Sequence, residues 1–275
     1  MGFNLRKKPF DDVNLRRAIA VLIDKEFIIS RILQGYGTRM DAMVPPANKY
    51  WFCPDVLSYG KGLNRNDRIK LAYQILHNAG YHWEVPPVQS GHVVPGEVIR
   101  MPDGRRMEKF TILTPPADYD PLRAMSGMMI QEWLRAMGMP AFSKPMAFGA
   151  LLEQVKGRHE FDAFVLGYGK LSLDPDYLRI FFHSSNDKPR GWNMSGYNNK
   201  KFDQLADKSA NEMNMENRRR LIWKMQKIIM KDVPYIPLYN PTQIEAVRKD
   251  TFSGWVNMVD GIGNIWSFCQ LKPNP

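Results

Sequence analysis

The sequence predicts an α/β fold, with helices covering a sheet that contains parallel pairings. Three observations point there. Strand-like and helix-like segments alternate through the middle of the chain: strand 107–113, helix 121–137, strand 140–144, helix 147–156 and strand 161–167. That order sets successive strands side by side through right-handed crossovers. Residues 161–167 (FDAFVLG) form a compact apolar run, as a buried strand requires. Finally, 275 residues with 44% hydrophobic and 24% charged side chains can bury a sizeable core, which excludes disorder as a description of the whole.

Taken in order, the chain from Asp12 reads as two helices in series. Asp12 suits an N-cap, and Leu15, Ala18, Ile19 and Leu22 make one apolar stripe. Asp24 caps a second helix, where Phe27, Ile28, Ile32 and Leu33 recur at helical spacing before Gly35 stops it. Residues 36–63 are rich in Pro, Gly, Asn and aromatics and read as an extended traverse. Asn66 then opens a short helix with Ile69, Ala72, Ile75 and Leu76 inward, closed by Gly80. Residues 95–114 read as a β-hairpin: 97–100 leads into the turn Pro102-Asp103-Gly104, and 107–113 leads back out.

Asp120-Pro121 is a cap followed by proline at the first helical position. The helix it starts carries Ala124, Met128, Ile130, Leu134 and Met137 and ends at Gly138. Its methionine-rich face, with Met125, Met128, Met129, Met137 and Met139, reads as adaptable core. A short strand at 139–142 and a helix at 148–155, ended by Gly157, complete the alternating region before the 161–167 strand. Asp174-Pro175 precedes a helix near 176–183, Asp174 standing before the helix-opening proline and Asp176 at the positive helix start. A Gly/Asn-rich loop runs to Asn199, and helices follow at 200–210 and 215–231, the second capped by Asn214. Strands are expected near 235–239 and 243–248, then a tail at 251–275 without strong periodicity.

Lys and Arg outnumber Asp and Glu by 38 to 28, a net charge of +10. The cations are spread along the chain, so no nucleic-acid partner is expected. No stretch approaches the roughly 18 apolar residues of a membrane helix. The opening residues hold no apolar run, so no signal peptide is expected in this chain. Cys53 and Cys269 lie far apart and outside any CxxC spacing, and read as two buried free thiols, with a disulfide between them as the alternative. The five histidines show no metal-ligand spacing, and GxSxG, GxxxxGK[ST] and helix-opening GxGxxG motifs are absent. No catalytic residue, metal or cofactor is expected.

The segments LRRAIAVLIDKEFIISRILQGYG, AYQILHNAGY, FDAFVLGYGKLSLDPDYLRIFFHSS and YNNKKFDQLADKSANEMNMENRRRLIWKMQKIIMKDVPYIPLYNP occur in an order and spacing that resemble the C-terminal half of the bacterial extracellular solute-binding proteins of family 5. These are the oligopeptide, dipeptide and nickel-chelate receptors of ABC importers. The resemblance implies one lobe of a class II periplasmic-binding-protein-like clamshell, a mixed sheet flanked by helices. It implies that residues 9–240 form the second α/β lobe. Residues 241–275 would then be a crossover strand and tail returning to an absent first lobe. Trp255 and Trp266 in that tail would pack on the absent lobe, with ordinary core packing as the alternative.

The resemblance also places the pocket edge at Tyr168, Gly169, Lys170 and Leu171. Peptide receptors of this family usually have an aromatic at the first of these positions and, at the fourth, an Asp that pairs with the ligand's α-ammonium. Tyr168 keeps the aromatic, but Leu171 replaces the carboxylate, and a buried ammonium without a counter-charge is costly. Lys170 offers a cation for an anionic group, or is a solvated loop lysine; Tyr168 is a ligand contact or strand-end packing. Trp192 and Asn193 lie on a loop that approaches the same cleft, as a stacking plate and an amide, or as a cap on the Tyr197 loop. The function implied is a receptor lobe for a peptide-like or anionic small solute, working with an ABC permease at the periplasmic or extracellular face. An enzyme on a related scaffold and a basic anion-binding or nucleic-acid-binding module are the alternatives.

Overall fold

The computed structural model describes every residue except Lys170, Lys249, Val259, Asp260 and Pro275. A two-residue strand, β1 (Gly2–Phe3), opens the chain. Asp12 then accepts a hydrogen bond from the Asn14 amide and starts α1 (Val13–Leu22), which buries Leu15, Ala18, Ile19 and Leu22. Asp24 accepts from the Phe27 amide and starts α2 (Lys25–Phe27), which runs on as a π-helical turn, Ile28–Ile32. Gln34 and Gly35, with φ of 51° and 85°, end it in the left-handed region. After β2 (Gly37–Arg39), α3 (Arg65–Asn78) is capped by Asn64, not by Asn66. Both asparagines can cap, and only the one three residues ahead of Asp67 can receive its amide, here at 3.0 Å.

The expected hairpin at 95–114 does not form. Strand β3 (His82–Val85) precedes the short hairpin β4 (Val88–Gln89) and β5 (His92–Val93), and pairs antiparallel with β6 (Glu97–Arg100). The turn after β6 is made as expected, but its arms meet in one bridge, Arg100 to Arg106, before the chain departs. It departs because β7 (Phe110–Thr114) is apolar on both faces, with Phe110, Ile112, Leu113 and Thr114 all buried. Such a strand is stable only where both faces are covered.

From β7 the βαβ alternation holds. It continues through α4 (Pro121–Arg135), β8 (Ala141–Pro145), α5 (Phe148–Leu152) with a π-helical turn Glu153–Gly157, and β9 (Ala163–Phe164). The sheet order is β1-β9-β7-β8. Strand β7 is parallel to both neighbours, with Ile112 opposite Ser143 and Ala163, and β1 is antiparallel to β9. Adjacent residues of β7 enter different cores. Ile112 belongs to the core that holds Leu15, Ile19, Leu76 and Leu134, whereas Leu113 belongs to the one that holds Phe164, Phe182, Phe202 and Ile229. The second core is closed by α6 (Tyr177–Phe182), α7 (Lys200–Asn211) and α8 (Met215–Asp232), the last capped by Asn214.

Strand β10 (Tyr239–Pro241) pairs antiparallel with β2, Asn240 opposite Thr38. No strand forms at 243–248 among the described residues: pairing along β2 goes no further than the Thr242 amide, which donates to the Tyr36 carbonyl at 3.1 Å, because Gln34 and Gly35 turn the partner chain away in the left-handed region. The tail holds β11 (Phe252–Ser253), α9 (Ile265–Gln270) and β12 (Lys272–Pro273). Trp255 is half-buried and Trp266 exposed. Two further expectations need correction. Met137 and Met139 are core, but Met125 and Met128 face outward on α4 at 42% and 51% exposure. Both cysteines are free, yet only Cys53 is buried; Cys269 is exposed on α9, where Ser267 alone turns inward.

One buried ion network ties α2 to the traverse. Lys25 donates from Nζ to the Met40 carbonyl at 2.7 Å and to Asp41 at 3.1 Å, and Arg39 Nε reaches both Asp41 oxygens. Burial lowers the Lys25 ammonium to about 8, with Asp41 partly offsetting it. Burial alone would raise Asp41, but hydrogen bonding from Arg39 and the charges of Lys25 and Arg39 outweigh it and hold the carboxyl at about 2. A carboxyl depressed in the folded state contributes stability above its unfolded value, and that contribution fades as pH falls towards the folded one. Urea unfolding should therefore show a loss of about 2 kcal/mol between pH 4.5 and 2 that Asp41→Asn lacks. Identical pH slopes in the two proteins would contradict the assignment.

Candidate functional site

The parallel strands β8, β7 and β9 end on one edge, and three loops leave it: 115–120, 146–147 and 165–176. The crossover from β7 runs to β8, whereas the crossover from β8 returns across β7 to β9. The chain after β7 enters α4, which packs in the first core, whereas the chain after the adjacent β9 enters α6 in the second, and such reversals open the crevice where α/β sheets take ligands.

On the third loop Tyr168 stacks on Phe181 of α6, centroids 4.4 Å apart, and its hydroxyl donates to that of Tyr235 at 3.2 Å. Burial, then Tyr235, pushes the Tyr168 phenol well above its ordinary value, so it remains a neutral donor. Phe181 also meets Trp192 at 5.8 Å, which makes Tyr168, Phe181 and Trp192 one aromatic run. Trp192 is 44% exposed, and Lys156 Nζ sits 3.4 Å from its ring centroid. Burial lowers the Lys156 ammonium. Gly169 and Leu171 are exposed; Lys170 lies outside the described residues.

Asn193 has a different surrounding from its neighbour. It is fully buried, and its amide donates to the carbonyls of His183 at 3.2 Å and Tyr197 at 2.8 Å. Its oxygen accepts from the Tyr197 amide at 3.0 Å and Ser195 Oγ at 3.3 Å. With those bonds made, the side chain holds the loop that presents Trp192. The neighbouring carboxylates are also engaged. Asp174 forms a bidentate pair with Arg218 of α8, which lowers its carboxyl, and accepts the Asp176 amide at 3.0 Å. Asp176 pairs with Arg179 at 2.6 Å. Asn48 donates to the Leu173 carbonyl at 2.7 Å, anchoring the far end of the loop.

Sequence reasoning missed the contributors from the other loops. Tyr119, just before α4, stacks on Phe148, at the start of α5, with centroids 4.8 Å apart and planes 16° from parallel. Arg123, in the first turn of α4, pairs through Nε with Asp120 at 2.9 Å. Its guanidinium lies against Gly167: a Cβ built there would stand 2.7 Å from Nη2, so a larger residue would displace the guanidinium. The Asp120-Pro121 start was the available signal, since it fixes what the first turn of α4 presents at the strand ends. A concavity of about 650 Å³ between α7 and α8 and another of about 250 Å³ beside Tyr81 are lined by none of these residues. The strand-end group is an open wall.

The chain matches known proteins over most of its length. Residues 1–189 fit the sequence profile described as bacterial extracellular solute-binding proteins, family 5 Middle. The oligopeptide-binding protein AppA of Bacillus subtilis is 29% identical over 251 residues, which cover 91% of this chain and 42% of that protein. The dipeptide-binding protein of Escherichia coli is 26% identical over 266 residues, 96% of this chain and 43% of that one. The structure of Bacillus subtilis AppA in complex with a nonapeptide superposes with a TM-score of 0.73 at 26% identity, covering 87% of this chain and 44% of AppA. The chain thus spans less than half the length of these relatives, and its fold is that of one lobe of such a protein. It belongs to the bacterial extracellular solute-binding proteins of family 5.

Proposed function

We propose that this chain is the second, ligand-gripping lobe of an extracytoplasmic solute receptor that delivers its cargo to an ABC permease. One observation carries the reading: the loops of three parallel strands gather an aromatic wall that is open on its far side. A trap closes when its ligand touches two walls at once, since each contact made only in the closed form shifts the hinge equilibrium. The second wall would be a first lobe, for which the greater length of the relatives leaves room. In this reading residues up to about 240 form the lobe. The β2–β10 ribbon is the crossover, and the tail from 241 packs on the first lobe through Trp266 and its neighbours. Tyr168 and Trp192 contact the solute, Gly169, Lys170 and Leu171 shape the edge, and Asn193 supports Trp192. The solute is peptide-like or anionic, as the names of the relatives and the missing carboxylate at Leu171 suggest together. The reading assigns no bond-making step to any residue.

The test uses the whole reading frame that contains this chain, purified without denaturation and examined by native mass spectrometry for bound solute. Trp192→Ala and Tyr168→Ala are each expected to weaken retention of that solute about tenfold, as loss of a stacking aromatic does. Full retention by both folded variants would contradict the placement of the site.

A further inference from the structure

We propose that the outer face of α7 and α8 docks this protein on an anionic phospholipid surface, its lysines set against the headgroup phosphates. The proposal goes beyond the receptor reading and concerns a face that carries none of the pocket-edge residues. Helix α8 buries Ile222, Met225, Ile229 and Met230 in the second core. On its opposite side stand Arg220, Lys224, Lys227 and Lys231, all exposed. Their spacing of i, i+4, i+7 and i+11 keeps them in one stripe along three turns, about 16 Å from end to end. Arg17 of α1 prolongs the stripe, donating from Nη2 to the Lys231 carbonyl at 2.8 Å. Beside it α7 buries Phe202, Ala206 and Ser209 and turns Lys200, Lys201 and Lys208 to solvent.

The acids of the two helices are engaged by the protein itself. Asp203 accepts from Ser184 at 2.5 Å, Asp232 from Tyr197 at 2.6 Å, and Glu216 from Arg219 at 2.7 Å. Glu212 accepts the Asn214 amide at 2.8 Å, and Asp207 faces His183 Nε2 at 3.3 Å. Lys227 meets Asp55 at 3.6 Å, an exposed pair of little strength. Among the described residues the other outward cations of the two helices form no ion pair. The concavity of about 650 Å³ between the helices has Lys208 on one bank, with Asp207 and Glu212, and Arg220 and Lys224 on the other, with room for a headgroup phosphate. Composition selects the partner. Protein interfaces favour arginine and are depleted in lysine, whereas here lysine supplies every outward cation of the two helices except Arg220. Lysine is a point charge on a flexible stem, suited to phosphates without a fixed arrangement. Met213 and Met215, 91% and 51% exposed where the helices join, add the apolar residues that interfacial elements combine with cations.

The test is cosedimentation of the 275-residue chain with vesicles of phosphatidylcholine, pure or containing about one-third phosphatidylglycerol, alongside a titration with poly-glutamate. Binding to the anionic vesicles only, released by high salt, is the expected result. Arg220→Gln, Lys224→Gln and Lys231→Gln together should weaken it about a hundredfold, near fivefold for each charge. Arg31→Gln, Lys70→Gln and Lys144→Gln together remove the same charge from other elements and should cost less than about fivefold. Equal weakening by the two sets would mean that net charge acts without regard to this face, and overturns the proposal. Binding to pure phosphatidylcholine, or binding that survives high salt, overturns it as well. Poly-glutamate bound in preference to the anionic vesicles makes the occupant an acidic protein surface and overturns the lipid assignment. None of these outcomes alters solute retention by the whole reading frame, so failure here leaves the receptor reading in place.

Discussion

Phe182→Ala is expected to destabilise the fold by about 3–5 kcal/mol, the range for deleting a fully buried aromatic ring. Phe182 is wholly inaccessible and meets four other rings: Tyr235 at 5.0 Å, Tyr197 at 6.1 Å, Phe202 at 6.2 Å and Phe181 at 6.4 Å. Three of those neighbours are themselves fixed. Tyr197 donates to Asp232 at 2.6 Å, Tyr235 accepts from Tyr168, and Phe202 is held in the first turn of α7. They cannot collapse into the space without breaking those contacts, which places the cost towards the upper end of the range. Urea unfolding reads the effect as a lowered midpoint at unchanged slope. Met213→Ala, at a side chain 91% exposed, is the control and should stay within about 0.5 kcal/mol. A Phe182 variant less than about 1 kcal/mol below the native chain would mean that the second core is not packed as described. The same substitution should loosen Tyr168, since Tyr235 carries the contact between core and pocket edge.

What could be read in the sequence follows from how local each signal is. Asp12, Asp24, Asp120 and Asn214 cap helices through bonds to amides two or three residues away, so their positions predicted the starts of α1, α2, α4 and α8. Strand partners are not local. The turn at Pro102-Asp103-Gly104 is real, yet the strand expected to return along β6 instead lies between β8 and β9, because its two apolar faces need cover that a hairpin cannot give.

The site shows the same division. Tyr168 and Trp192 were visible through the family resemblance, and the structure joins them through Phe181, a residue that periodicity assigns only to a buried helix face. Asn193 stands next to Trp192 in sequence, but its buried amide faces the loop interior. The approach of Arg123 to Gly167 and the stacking of Tyr119 on Phe148 join loops that follow different strands. Neither could be found without knowing that those strands end together. Lys170, the cation expected at the edge, lies outside the described residues.

One comparison bears on the central claim more directly than any substitution. The solute identified with the whole reading frame is titrated calorimetrically into that protein and into the 275-residue chain. A wall that supplies only part of the contacts should bind at least about a hundredfold more weakly than the closed trap, because the contacts it lacks contribute nothing to offset the cost of association. Equal, tight binding by the 275-residue chain alone would mean that these residues form a complete pocket by themselves, and the two-walled account would be wrong.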